Sequence, residues 1–109
     1  MNKLLESFLR SDHAGEVGAV FIYKGILSVA KDPELLEFSK RHLATEQEHL
    51  RKIEEVLPKA KRSKLVFLWK ISGYLLGFLP ALFGPKIVLL PLRLLSLLLK
   101  IIMKSSLSI

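Results

Sequence analysis

A chain of 109 residues with no cysteine and a formal net charge of +7 has room for one helical domain but not for a bundle joined to a separate membrane unit; disulfides and thiolate metal sites are excluded, which leaves carboxylates and imidazoles as metal ligands. The charge is segregated: all ten acidic residues lie at or before Glu55 beside eight basic ones, whereas the nine basic residues that follow have no acid among them. The basic half is also the apolar half, which favours an anionic membrane surface as partner and argues against nucleic acid, since duplex binding calls for solvated cationic faces rather than leucine runs.

The opening "MNKLLESFLRSDHAGE" lacks an unbroken apolar core followed by a small-residue cleavage site and does not read as a signal peptide. From Asn2 to about Val29, Leu4, Leu5, Phe8, Leu9, Val17, Val20, Phe21, Ile26 and Leu27 recur at spacings of three and four, the period of an amphipathic helix. "KDP" at Lys31 to Pro33 supplies an Asp N-cap and a Pro at the first helical position, after which Leu35, Leu36, Leu43, Leu50, Ile53 and Leu57 extend a second helix to Pro58. So short a connection makes the pair an antiparallel hairpin. "PKAKRSK", residues 58 to 64, is a basic polar linker, and "LVFLWKISGYLLGFLPALFG" is an apolar segment interrupted by Lys70, Gly73, Gly77 and Pro80. A bilayer span needs about 20 predominantly apolar residues, so this segment reaches across one only marginally and reads equally as an interfacial or buried helix. "PKIVLLPLRLLSLLLKIIMKSSLSI" closes the chain with a leucine-rich composition unlike anything before Gly84.

One constellation carries chemistry. Leu43, Glu46, Leu50 and Ile53 lie on the row that forms the seam of the second helix, so Glu46 points inward with His49 beside it. A buried carboxylate must protonate, pair with a cation or bind a metal. If the hairpin folds about Lys31, Glu16 and Glu46 each lie fifteen residues from it, and His13 and His49 each eighteen, so the two carboxylates stand level, as do the two imidazoles. Gly15 and Gly18 flank Glu16, a pattern that costs helix stability and permits close approach of a helix or ligand. Carboxylates with imidazole suit iron or manganese, and a Glu facing a Glu-x-x-His is half of a ferritin-like di-iron arrangement. By itself Glu-x-x-His is weak: "EQEHLRKIEE" also reads as a solvated charged face with Glu48 supporting Lys52. His13 and His42 then read as groups supporting the ligands or lying on the surface, and Tyr23 and Trp69 as packing residues with a polar end.

"RSDHAGEVGAVFIYKG" together with "EQEHL" resembles the demethoxyubiquinone hydroxylase family, ferritin-like di-iron monooxygenases of ubiquinone biosynthesis. The likeness rests on Asp12 to Glu16, Gly18, Ala19, Ile22, Tyr23 and Gly25, on Glu46 with His49, and on "LWKISGYLLGFLPALFGPK", and it covers residues 7 to 86. It implies an all-α, ferritin-like helical bundle, incomplete here, with residues 1–86 as the partial domain and 87–109 as an apolar basic tail. It also implies Glu16, Glu46 and His49 as iron ligands, Asp12, His13 and Tyr23 as groups supporting them, and an isoprenoid quinol hydroxylated on its ring with dioxygen. The protein would sit peripherally on the cytoplasmic face of the cell membrane, or on the inner mitochondrial membrane in a eukaryote. The family requires a second Glu and a second Glu-x-x-His from later helices, yet no acidic residue follows Glu55. One chain thus holds at most half the di-iron site and reads as a partial or inactive member, unless a symmetric homodimer joins two half-sites. The alternative from another class is a small, non-catalytic, membrane-associated helical protein.

The tail suggests its own origin. Read one nucleotide late, Glu codons become codons for Lys, Arg, Ser or Asn, and His-Tyr becomes codons beginning AT. The family reads approximately Thr-x-x-Ala-Val-Glu and, a few residues on, Glu-x-His-Tyr-x-x-Gln at this place; Arg93, Ser96, Lys100, Ile102 and Met103 fall where that shifted text would put them, so residues from about Ile87 read as a frameshifted tail. The expected result of sequencing the gene is a family-like frame, one nucleotide earlier, running uninterrupted across codons 87 to 109; a stop-ridden alternative frame removes the idea.

Overall fold

The computed structural model describes residues 2–107, without the side chains of Leu92, Met103 and residues 105–107; positions 108 and 109 of the tail lie outside the described residues. The fold is all-α: α1 (Lys3–Val29), α2 (Pro33–Val56), α3 (Val66–Leu82) and α4 (Pro85–Leu107), with a 3-10 turn at Lys59–Lys61 before α3. The Asn2 side chain accepts from the N–H groups of Leu4 and Leu5 at 2.6 and 3.4 Å, and Asp32 accepts from Leu35 N–H at 3.0 Å with Pro33 behind it. Both hairpin helices therefore begin where their capping residues dictate.

α1 is the central element, packed on one face against α2 and far more extensively on another against α3. Along the second contact Gly18 lies against Trp69 and Gly73, Ile22 against Gly77, and Gly25 against Tyr74 and Phe78, so α1 and α3 run parallel. A methyl group on Gly77 would overlap the Ile22 carbonyl oxygen, one on Gly73 the Gly18 carbonyl, and one on Gly25 the Tyr74 carbonyl. Backbone meets backbone here, because small residues at a four-residue spacing let two helices approach without intervening side chains. Gly73, Gly77 and Ala81 are accordingly the buried residues of α3. Of the two glycines expected to admit a neighbour, Gly18 does so, while a methyl on Gly15 would meet nothing within 4 Å.

The core gathers at the turn end of the hairpin, where Ile26, Leu35, Ala81 and Leu89 come together from α1, α2, α3 and α4. Gly84, with φ +115°, makes the turn between α3 and α4 in a backbone region that residues with a Cβ rarely adopt. The segment 58 to 64 is tied down rather than a free linker. Arg62 donates to the carbonyls of Leu57 and Glu54 at 3.1 and 3.2 Å, closing the C-terminus of α2, and Arg10 donates to the Lys61 carbonyl at 2.9 Å.

The outer faces of α3 and α4 stay apolar and open, with Phe67, Leu68, Ile71, Leu76, Leu94, Leu98 and Ile102 among the exposed residues. Among the described residues no single helix is long and apolar enough to cross a membrane; α3 and α4 meet the length and composition of a span only as a pair, bent by 119°. The molecule is a slab, 44 × 42 × 19 Å, whose thin dimension is about two helix diameters.

The helix contact predicts opposite outcomes for two equivalent substitutions. Gly77→Ala should lower unfolding free energy by about 1–3 kcal/mol through forced separation of α1 and α3. Gly15→Ala should raise it by about 0.5–1 kcal/mol through helix propensity alone. Chemical denaturation of the two variants checks the pair.

Candidate metal centre

Three short-range facts put the candidate ligands together. The turn Ala30–Asp32 brings α1 and α2 back alongside each other, Glu16 and Glu46 occupy the same height on facing surfaces, and His49 follows Glu46 by one helical turn on the same side. One ligand atom from each of Glu16, Glu46 and His49 falls within 4.8 Å of the other two. His49 Nδ1 stands 3.9 Å from Glu16 Oε1 and 3.7 Å from Glu46 Oε2. With metal–ligand bonds of about 2.0–2.2 Å, neighbouring donors around one ion lie about 3–4 Å apart, so these spacings suit a shared cation with little movement.

The electrostatics point the same way. The two carboxylate side chains are 20% and 22% exposed, whereas His49 is 52% exposed. The gap is therefore only half dry: it is closed on the hairpin side and open where His49 stands, because α3 packs behind α1 rather than over the seam. Glu16 Oε2 is sealed from solvent with no hydrogen-bond partner, a state that costs about 1–3 kcal/mol for a neutral group and more for a charged one. Burial first, then the proximity of a Glu46 carboxyl able to share a proton, then the negative charge of Glu46 and Asp12, push Glu16 up to about 7 from its ordinary 4.5. A bound cation meets both the orphaned oxygen and the like-charge pair, so the residues present fit a metal.

The supporting residues separate. Asp12 is exposed and acts on Glu16 through its charge. Tyr23 is half-buried, its phenol pushed up by burial and then by the charge of Glu46, and it stacks on His42 at 5.7 Å between ring centroids. His42 in turn lies 4.2 Å from the Phe38 ring. His13 does not join the site: its Nε2 lies 3.0 Å from Glu54 Oε2, and its Nδ1 is buried without a partner. The level count gave its height correctly but not its direction around the helix axis. Glu54 and Arg62 are the residues that the sequence reading missed, Glu54 because it sits in a run of charges that looks uniformly solvated. That run does supply the solvated face expected, although Glu48 pairs with Arg51 at 2.8 Å and Arg51 also with Glu55, rather than with Lys52.

Beside this centre, Tyr23, Phe38, Arg41, His42, Leu89 and Arg93 help line a cleft of about 520 Å³ between the hairpin and α4. Arg93 reaches across it to Glu34.

Comparison with known proteins gives a consistent result. Residues 3–92 match the model of the family described as "Ubiquinone biosynthesis protein COQ7". The chain is 40% identical over 86 residues to the 3-demethoxyubiquinol 3-hydroxylase of Rhodospirillum rubrum, covering 76% of this chain and 41% of that protein. It is 31% identical over 84 residues to the mitochondrial NADPH-dependent 3-demethoxyubiquinone 3-hydroxylase of Dictyostelium discoideum, covering 75% and 39%. The protein of the same name from Caenorhabditis elegans is 36% identical over 83 residues, covering 74% and 44%. The chain thus spans about two-fifths of the length of the curated relatives it matches. No solved structure matches it.

The raised carboxyl predicts a pH dependence for the metal-free protein. A folded-state value of about 7 against 4.5 means that the folded chain binds the proton more tightly. Stability should therefore fall as pH rises from about 4.5 to 7 and level off above. Thermal midpoints across that range should decline for the parent protein and run flatter for Glu16→Gln.

Proposed function

Because the chain belongs to the ubiquinone biosynthesis protein COQ7 family, we propose that Glu16, Glu46 and His49 hold iron as half of a di-iron centre for O2-dependent hydroxylation of a demethoxyubiquinol ring. The observation that carries this reading is the convergence of those three donors, with one Glu16 oxygen buried and unpartnered. Iron bound there would supply, with dioxygen, the oxidising power that an aromatic C–H bond requires.

The chain's own residues have definable tasks. Glu16, whose carboxyl is pushed up by burial and by the neighbouring Glu46, gives up its proton when a cation arrives, so the site becomes a charge-neutralising pair. His49, one turn beyond Glu46, closes the third corner from the solvent side. Tyr23, Phe38 and His42 form an aromatic wall one helical turn from Glu46, and we assign the quinol ring to the adjoining cleft. The apolar outer faces of α3 and α4 would rest in a membrane surface, peripheral to the bilayer, where an isoprenoid chain resides. In organisms whose relatives are mitochondrial, that surface would be the inner mitochondrial membrane.

Three protein donors hold one cation weakly and two poorly, so a single chain would be an inactive or partial member with half of the metal site. A second copy placed two-fold across the open side of α1 and α2 would bring two further carboxylates and a second imidazole, the ligand count of a complete centre. Those same open apolar faces favour one other reading, a membrane-associated helical protein that performs no catalysis.

Anaerobic ferrous loading followed by metal analysis and sedimentation separates the readings. The expected result is about two irons per pair of chains, with Glu46→Ala losing most of the metal while its helical content is retained. A chain that takes up no iron, and whose vesicle binding Glu46→Ala leaves unchanged, would make the non-catalytic reading correct.

A further inference from the structure

Apart from the aromatic cleft, a second cleft of about 540 Å³ lies between α1, α2, the 3-10 turn and the start of α3. Its lining is strongly basic, with Lys24, Arg51, Lys59, Arg62 and Lys70 set against the single carboxylate of Glu54. Arg51 is neutralised by Glu48 and Glu55, and Arg62 by Glu54 at 3.4 Å. Among the described residues no carboxylate pairs with Lys24, Lys59 or Lys70. Lys24 Nζ and Lys70 Nζ, from two different helices, are drawn to the same ring, 4.7 and 5.7 Å from the centre of Phe21. Ammonium groups converging without a counter-ion repel one another, and an anion between them removes that cost.

Two further features lead to the same occupant. α3 opens on this cleft at Val66, and its N-cap position is Leu65, whose side chain makes no capping hydrogen bond. The N–H groups of Leu68 and Trp69 are taken by the Leu65 carbonyl, and those of Val66 and Phe67, with the positive end of the dipole of this 17-residue helix, are left for a ligand. His13 lines the same cleft with its side chain 3% exposed and its Nδ1 unpartnered. A group that is nearly fully buried, polar and unsatisfied is consistent with a missing hydrogen-bonding partner.

We propose that this basic cleft is a binding site for a phosphate group, held by Lys24, Lys59 and Lys70 at the N-terminus of α3. A phosphate oxyanion matches the need for several converging donors around one compact charge. Such a group could belong to a phospholipid headgroup, since Phe67 and Leu68 beside the cleft are exposed, or to a soluble phosphate ester. None of Glu16, Glu46 and His49 lines this cleft.

The test uses the full chain in a non-ionic detergent. Thermal midpoints are followed against inorganic phosphate at constant ionic strength set with chloride. A saturable rise is expected with phosphate. The double variant Lys24→Gln, Lys70→Gln should start from a higher midpoint in phosphate-free buffer and need about tenfold more phosphate or beyond for half the rise. Lys59→Gln should weaken phosphate without disturbing the helix contact, and Lys52→Gln, outside the cleft, should change nothing. Vesicles of phosphatidylcholine with or without phosphatidic acid then identify the source. Binding that needs phosphatidic acid, is displaced by inorganic phosphate and is lost in the double variant assigns a lipid headgroup. Vesicle binding indifferent to both, alongside the phosphate-dependent midpoint, assigns a soluble ester. A midpoint that rises no more with phosphate than with chloride, or rises equally in the double variant, overturns the proposal.

Discussion

Two carboxylates of like charge are held within reach of one cation because the three-residue turn at Ala30–Asp32 allows α1 and α2 few alternative registers. Once Asp32 caps α2 and Pro33 fixes its first residue, the rise per residue sets which side chains stand opposite one another. Glu16 and Glu46 are the pair so placed. One Glu16 oxygen is already out of water, and the close backbone contact of α1 with α3 fixes which way α1 faces. The candidate metal centre on one face of α1 thus depends on a contact on another.

That contact explains a feature of the composition that looks unfavourable. Glycine inside a helix costs about 0.5–1 kcal/mol relative to alanine, and α1 and α3 carry five of the six glycines of the chain. Gly18, Gly25, Gly73 and Gly77 recover the cost by backbone contact, where dispersion acts over the full length of the crossing. Gly15 recovers nothing from packing. It lies beside Glu16 on the open part of α1, where an added side chain would have space, and the structure gives no physical account of its presence.

Much of this was legible in the sequence, for definable reasons. The start of the second helix was readable because Asp32 and Pro33 act locally, and the carboxylate pair was readable because counting from the turn needs only a constant rise. Direction around the axis is a different quantity, set by how two helices cross, and for that reason His13 was placed at the right height but on the wrong side. The role of Gly73 and Gly77 was hidden for a related reason. They read as interruptions of an apolar run until α3 is known to lie parallel to α1, and parallel packing of nonadjacent helices has no signature within either one. The family motif located Glu16, Glu46 and His49 together, but it could not reveal that His49 is left half in water.

The segregation of charge along the chain becomes a means of assembly in three dimensions. The acidic hairpin and the basic half meet at a few places: Arg62 at Glu54, Lys61 at Glu6 with 3.7 Å between them, and Arg93 at Glu34. Exposed pairs of this kind contribute little individually, about 0–1 kcal/mol, so they orient the second half rather than stabilise it; the glycine contact and the Ile26, Leu35, Ala81 and Leu89 cluster do that. Because the acids are fewer than the bases, pairing must leave basic groups over. They are not spread evenly. Lys24 and Lys70 gather on the ring of Phe21 while α4 presents its leucines outward. The hairpin therefore gathers carboxylates where α1 faces α2 and, with α3, places two ammonium groups beside Phe21, so that a single helix carries groups of opposite charge on two of its faces.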